Sequence, residues 1–496
     1  MFAWRYKTWY NKGEFRSDSR PHFKSYPNTL SRGLDMYRTR RIRIRKGHKL
    51  WGYGVDLCMK SALLYNRANY LVRQYATAVR DMGRMKPLHE NQIQVYRLVR
   101  ETTDGTRYEV KGSWLTYGQL DYILKRTEDP AYRSLPAQAN QQILKRLVRD
   151  YKSFFEAQKV WKKHPGQFTG KPKMPGYRKK GSLVTAVLTN QICAVKEKHY
   201  LKFPGTKSRL NLGTIAEGED VRLKEVRIKP GHKDLVIETV LELKADIFHM
   251  PEEEVLRKLS ESDGRKYRVA AIDLGVDNLC AVTDNFGRKP FLIKGGAVKS
   301  ENRYYNKKLA QLRSEAMKCS GRYSTSRIGR LTDRRNRILK DLMHKASRKV
   351  ADWAEENKVD IVVLGHNVFQ KQGITTGHVN NQTFVQIPFC VFAGMLKYKL
   401  EERGIAFLET EESYTSKADF LAGDLMPVYG KEKETCEGKQ VTFSGKRIRR
   451  GLYLHWDGTK SNADINGAAN ILRKVIPNEA EWDRGGVDTP YAVKIA

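Results

Sequence analysis

At 496 residues the chain is long enough for several domains and a sizeable core. Its 92 Lys+Arg against 55 Asp+Glu leave a formal net charge of +37, which repels itself in a compact fold unless a polyanion offsets it. With 40% hydrophobic residues, no apolar run of membrane-spanning length and no signal-peptide pattern, disorder and membrane insertion are excluded as readings, and nucleic acid is the expected partner.

Residues 1–34 are aromatic and basic without periodicity and read as a loosely ordered arm. The segment from Met36 to Lys46 then alternates basic with apolar residues near its end, the pattern of a strand with one wet, positive face. A helix is expected over about 51–82, with Leu57, Leu63, Leu64, Tyr70, Leu71 and Tyr75 among its apolar positions, and more helices between about 115 and 163. The Gly/Pro/Lys stretch Gly166–Gly181 cannot be helical throughout and reads as a connector. Candidate strands follow at Leu183–Leu188, His199–Phe203, Val221–Ile228 and Leu235–Leu243, spaced as in a small β-barrel or sandwich. After a charged linker helix beyond Pro251, the pattern gives three strands (about 267–274, 278–284 and 290–294) and a long helical region, 301–357. A buried-type strand at Asp360–Gly365, a helix at about 384–403, a strand at Ile405–Glu409 and a helix from Asp464 to Val475 complete it. A three-stranded meander followed by alternating helices and strands is the RNase H-like order. The six cysteines (Cys58, Cys193, Cys280, Cys319, Cys390 and Cys436) form no Cys-x-x-Cys pair and read as reduced thiols.

Two aspartates stand out against this basic background. Asp273 ends an apolar strand in Ala-Ala-Ile-Asp-Leu-Gly-Val-Asp-Asn, with Gly275 allowing a tight turn beside it, and Asp464 opens a small-residue helix in Ala-Asp-Ile-Asn-Gly-Ala-Ala-Asn. Hydrolysis of a phosphodiester by two divalent cations roughly 3.5–4 Å apart needs converging carboxylates, and Mg²⁺ asks for only a few of them. The bland alternatives are a turn-forming Asp and a helix N-cap. The phosphate loop of sugar-kinase-like ATPases also opens on Asp-x-Gly, but the glycine-rich loops it needs downstream are not found.

These two strings resemble the first and third RuvC motifs of TnpB proteins, the transposon-encoded, RNA-guided relatives of compact type V CRISPR effectors. The resemblance extends to Asp341-Leu-Met-His-Lys-Ala-Ser347, Gln386-Ile-Pro-Phe389, Tyr414-Thr-Ser-Lys417, the Gly-Lys-Pro-Lys connector and Leu64-Tyr-Asn-Arg-Ala-Asn-Tyr70. It is dense from about 267 to 475 and patchy before.

Two departures from the family pattern matter. The second motif, usually a strand ending in Glu-Asp-Leu, reads Val362-Val-Leu-Gly-His-Asn367 and holds no carboxylate. The next strand ends in Glu409-Thr-Glu-Glu-Ser-Tyr-Thr-Ser-Lys417, and some relatives carry a relocated glutamate just before the Thr-Ser pair. Glu412 matches that placement; Glu411 is the alternative, because side chains alternate along a strand. The other departure is the zinc ribbon: where the family has two Cys-x-x-Cys pairs, this chain has Asp419 and Ala422, then Leu454 and Asp457, so structural zinc is not expected. A hairpin with a basic tip, Lys446–Arg450, is expected there instead.

Residues 301–350 hold 15 Lys+Arg and four Asp+Glu, so a nucleic-acid track is expected on this helical surface. Its candidate contacts are Arg327, Arg330, Arg334, Arg335 and Lys345, joined by Lys446, Arg447, Arg449 and Arg450 on the hairpin. His344 reads as structural, since two-metal chemistry needs no general base.

The resemblance implies a multidomain α+β and α/β protein. Its expected parts are the arm (1–34), a wedge-like β-barrel (35–50 and 165–260) with an inserted helical recognition domain (51–164), an RNase H-like RuvC domain (265–415 and 460–496) and a zinc-free insert (416–459). It further implies RNA-guided, Mg²⁺- or Mn²⁺-dependent DNA cleavage with Asp273, Glu412 and Asp464 as catalytic ligands. A guide RNA and double-stranded target DNA with a short flanking motif would be the partners of a monomer in a prokaryotic cytoplasm, at the nucleoid when DNA-bound. The rivals are a nuclease-deficient, RNA-guided repressor and a guide-independent transposase.

Overall fold

The computed structural model describes residues 36–197, 199–213, 221–243, 250–261, 267–366, 385–428, 441–476 and 489–495. The expected arm, Asn367 and Cys436 lie outside them.

β1 (Met36–Arg45) leads into five helices: α1 (Trp51–Met82), α2 (Glu90–Thr103), α3 (Tyr117–Arg126), the single turn α4 (Pro130–Arg133) and α5 (Ala137–Lys163). Leu57, Leu64, Tyr65, Ala68, Leu71, Val72 and Tyr75 recur at helical spacing on α1 and are all buried. Leu63, read from the sequence as part of that face, points outward and is 61% exposed. α2 was not anticipated, because it buries only Gln92, Val95, Val99 and Thr103 and its stripe is half polar.

The connector is tied to α1 by two asparagines. Asn66 donates to the Arg178 carbonyl at 2.8 Å and accepts from the Arg178 N–H at 2.7 Å, while Asn69 and Arg73 donate to the Pro175 carbonyl. Two segments singled out separately in the sequence thus hold each other. An irregular chain keeps its backbone groups satisfied in this way.

Six strands follow: β2 (Ala186–Thr189), β3 (Ala194–Lys196), β4 (Tyr200–Lys202), β5 (Arg209–Asn211), β6 (Val221–Pro230) and β7 (Asp234–Leu243). Among the described residues they form no barrel. The order β1-β7-β6-β2 makes an open antiparallel sheet, and β3-β4-β5 makes a separate one. The three strands after β2 are three residues each, too short to carry the sheet around to β1. The face read as wet and positive on β1 is largely matched within the fold. Arg41 on β1 and Lys229 on β6 both reach Glu238 on β7, which is 4% exposed, and Arg43 reaches Asp234. One apolar core runs from the helices into this sheet.

The C-terminal part begins with α6 (Glu252–Glu261) and the meander β8 (Val269–Leu274), β9 (Asn278–Asp284) and β10 (Phe291–Lys294). The expected long helix is two, α7 (Gly296–Ser320) and α8 (Ser326–Glu356). Gly321 breaks it with a left-handed φ of 60°, and Thr325 caps the second helix. β11 (Ile361–Gly365), α9 (Phe389–Glu401) and β12 (Ala406–Thr410) follow, then β13 (Lys446–Arg449), β14 (Leu452–Leu454), β15 (Lys460–Ser461), α10 (Ala463–Val475) and β16 (Tyr491–Val493). The six-stranded order is β12-β11-β8-β9-β10-β16, with β11 parallel to β8, β12 parallel to β11 and β16 parallel to β10. α8 and α9 bury one face of this sheet, and α6 and α10 bury the other. Lys399 of α9 donates to Ser347 Oγ and to the His344 carbonyl, so the Asp341–Ser347 segment anchors a helix pair, and His344 contributes backbone.

Candidate active site

β8 lies between β11 and β9 near the middle of the sheet, and its next-to-last residue is Asp273. The Asp273 side chain meets α10 where that helix carries Gly467. A Cβ there would stand 2.9 Å from Asp273 Oδ2, so only glycine lets helix and carboxylate approach this closely.

α10 is capped by Asn462, whose Oδ1 accepts from the N–H groups of Asp464 and Ile465. Asp464 is therefore not the cap, and its carboxylate faces the cleft. The helix's small polar face also grips the chain after β12. Asn466 and Asn470 both donate to the Ala418 carbonyl, and Asn470 also donates to that of Thr415.

Glu411 and Glu412 lie past the end of β12, in a turn closed by the Thr415 hydroxyl donating to the Glu412 carbonyl at 3.0 Å and by Tyr414 at a positive φ of 63°. Glu411 turns away: it pairs with Lys474 and accepts from its near neighbour, the Ser413 N–H. Glu412 turns inward. Its Oε2 would stand 3.3 Å from a Cβ on Gly365, the last residue of β11. The carboxylate thus reaches the space beside the strand end that lacks one of its own.

The three acids share an open cleft of about 800 Å³, lined also by Asn278, Lys294, Thr415, Ser416, Arg447 and Arg450. Burial pushes the Asp273 carboxyl well above its ordinary range, and the charges of Glu412 and Asp464 push it further, with Arg447 opposing. Burial raises Glu412 to about 7, with the positive charge of His366 opposing. Asp464 accepts from Asn278 Nδ2 at 2.6 Å through Oδ2 and from Arg447 at 3.1 Å through Oδ1. Lys294 holds Asn278 in this orientation by donating to its Oδ1 at 3.0 Å.

Among the described residues no three His, Cys, Asp or Glu side chains converge tightly enough to hold an ion. The donor set itself fits a hard cation. It is all oxygen, and burial, joined at Asp273 by the charges of its two neighbours, weakens the acidity of two of its carboxylates in a way that a divalent charge would relieve.

His366, just beyond β11, was not singled out in the sequence. Its Nδ1 meets Glu409 Oε2 at 3.0 Å and its Nε2 meets Cys390 Sγ at 3.8 Å. These two partners, Cys390 first, raise it to about 9. Nothing in the spacing of residues 366, 390 and 409 announces this cluster, which forms only when β11, α9 and β12 pack.

The basic candidates divide. Arg327, Arg330, Arg334 and Lys345 lie exposed on α8, and Lys446, Arg447, Arg449 and Arg450 lie exposed on and beside β13. Arg335 does not belong with them: it turns inward to Asn302 Oδ1 and the Gln386 carbonyl, holding α7, α8 and the approach to α9 together. Of the hairpin's basic residues Lys446, Arg447 and Arg449 lie on the strand β13 and only Arg450 is in the turn at its tip, in a three-stranded sheet β13-β14-β15. Its base is fastened by buried Asp419, which meets His455 Nδ1 at 2.6 Å and accepts from the Trp456 N–H, while His455 Nε2 meets Ser461 Oγ.

Two family models match this half of the chain, a probable transposase model over residues 253–369 and a Cas12f1-like TNB domain model over residues 389–471. These matches make this half of the chain similar to the TnpB-type relatives of the type V effectors. A TnpB-like protein, ORF457 of Acidianus two-tailed virus, is 26% identical over 218 residues, a match spanning 42% of this chain and 42% of that relative. Among solved structures, a Cas12f1–sgRNA–target DNA complex covers 87% of this chain and 98% of its own at 13% identity, with a TM-score of 0.28. The mini-RNA-guided endonuclease CRISPR-Cas_phi3 covers 89% and 92% at 10% identity, with a TM-score of 0.41. No helix among the described residues is long and apolar enough to cross a membrane.

Proposed function

We propose that this TnpB-type protein is an RNA-guided DNA endonuclease with one RuvC-type site on an RNase H-like sheet. The observation that carries the reading is the meeting of Asp273, Glu412 and Asp464, from three separate elements, in one cleft rimmed by Arg447 and Arg450. Asp273, Glu412 and Asp464 would hold Mg²⁺ or Mn²⁺, which when bound supplies activation of water and stabilisation of the leaving oxygen. Lys294 and Asn278 orient Asp464. The guanidinium groups of Arg447 and Arg450 draw the phosphodiester toward the acids, since the carboxylates alone would repel it.

The exposed basic residues of α8 and β13 would follow the phosphate backbone of a guide RNA and its DNA target, with base pairing reading the sequence and the protein a short flanking motif. The test is cleavage of plasmid DNA by protein carrying the RNA that co-purifies with it. Asp273→Ala, Asp464→Ala and Glu412→Gln should each abolish cutting while leaving guide-dependent DNA binding intact. Cutting that survives all three substitutions, or a preparation that never contains a discrete RNA, overturns the reading.

A further inference from the structure

Asp464 is the one acid of the three whose two oxygens are both taken by the protein's own donors, and those donors differ in kind. Asn278 is 7% exposed and pinned by Lys294, so it is part of the wall. Arg447 is the opposite: its side chain is 43% exposed, and it reaches the cleft from β13, whose neighbouring residues are all exposed. The register between β13 and β14 breaks at this point, Arg447 facing Tyr453 and Arg449 facing Leu452, so Ile448 is a bulge. A bulge re-aims the side chains beside it. Arg450, past the strand end, makes a second bridge of the same kind to Asp277. The hairpin thus places two guanidinium groups on two carboxylates at the edge of the cleft.

A guanidinium binds phosphate with the same planar fork it offers a carboxylate. A divalent cation on Asp464 and the Arg447 guanidinium on its Oδ1 repel each other, so each weakens the other's hold. The geometry points to Arg447 as an exchangeable counter-ion: without polyanion it neutralises Asp464 and opposes metal binding, and an arriving phosphate takes the guanidinium and frees Oδ1. Metal and nucleic acid then bind cooperatively, and by linkage each strengthens the other by the same factor. The consequence is a site that assembles fully only with substrate in place. This inference rests on the assignment of Asp273, Glu412 and Asp464 as metal ligands.

The experiment titrates Mn²⁺ into the full chain and reads free Mn²⁺ by electron paramagnetic resonance, with and without a phosphorothioate oligothymidylate, after subtracting Mn²⁺ held by the oligonucleotide alone. In the wild type the oligonucleotide should tighten Mn²⁺ binding about tenfold, within the usual range of site-to-site coupling. In Arg447→Gln, an exposed substitution, Mn²⁺ should bind about tenfold tighter without oligonucleotide and gain little when it is added. Unchanged affinity in Arg447→Gln, or the same oligonucleotide gain as wild type, overturns the exchange. Asp273→Asn separates this from the underlying assignment. If it leaves Mn²⁺ binding untouched, the ligand assignment fails; if it abolishes binding while Arg447→Gln behaves as wild type, only the exchange fails.

Discussion

Glu412→Gln replaces a carboxylate in the turn after β12 with an uncharged group of the same shape. Glu412 is raised from 4.5 to about 7, chiefly by burial, so in the metal-free protein at pH 8 carrying its charge costs roughly 3 kcal/mol of folding stability. Between these two values the folded protein holds a proton that the unfolded chain has released. Stability therefore falls as pH rises through that window and is level on either side. The variant lacks this slope. In EDTA it should exceed the wild type by up to roughly 3 kcal/mol at pH 8 and hardly at all near pH 4.5. Relief of Asp273, whose proton affinity Glu412 raises, adds to the gain. Saturating Mg²⁺ should reverse the ranking, because only the wild type has the charge to bind it. Hydrogen exchange of the β8 and β11 amides is the assay, since a chain of this size need not unfold in one step. A variant no more stable than wild type at pH 8 in EDTA would refute the claim that Glu412 is a strained, metal-awaiting acid.

Other outcomes follow from the same contacts. Cleavage at limiting Mg²⁺ should rise with pH through about 7, as Glu412 loses its proton, and flatten above; a profile level from pH 6 to 8 would contradict this. Gly467→Ala sets a methyl 2.9 Å from Asp273 Oδ2 and should cost about 1–3 kcal/mol in thermal melts while weakening Mn²⁺ binding. Arg335→Ala should destabilise the fold by about 2 kcal/mol through its lost bonds to Asn302 and Gln386, with nucleic-acid affinity falling only as the fold does. Arg330→Ala should leave the melting temperature unchanged and reduce the salt slope of binding by about one.

What could be read in advance depended on how far apart the cooperating residues lie. Asp273 and Asp464 stand in strings whose neighbours do local work: at Gly275 a Cβ would stand 2.7 Å from the Asn278 carbonyl oxygen of the same turn, and Asn462 caps the helix that presents the other carboxylate. Such arrangements repeat in sequence because a few adjacent residues specify them. The connector was legible as irregular chain, but its fastening to Asn66 and Asn69 crosses more than a hundred residues. Strand spacing showed β-structure after residue 182 without showing closure, because spacing says nothing about which edges meet. Arg335 illustrates the limit on charge reading. It shares a helix and a composition with Arg334, yet one lies over the Tyr304 ring at the surface while the other is consumed by Asn302 and Gln386. Composition counts cations; only packing decides which remain available to a polyanion. The same reasoning applies to Arg447, whose engagement with Asp464 joins segments 17 residues apart through a bulge that no hydropathy pattern records. The missing acid of the second motif and the occupied acid of the third therefore have related physical answers. In one a neighbouring turn supplies the charge, and in the other an exposed arginine holds it until a phosphate arrives.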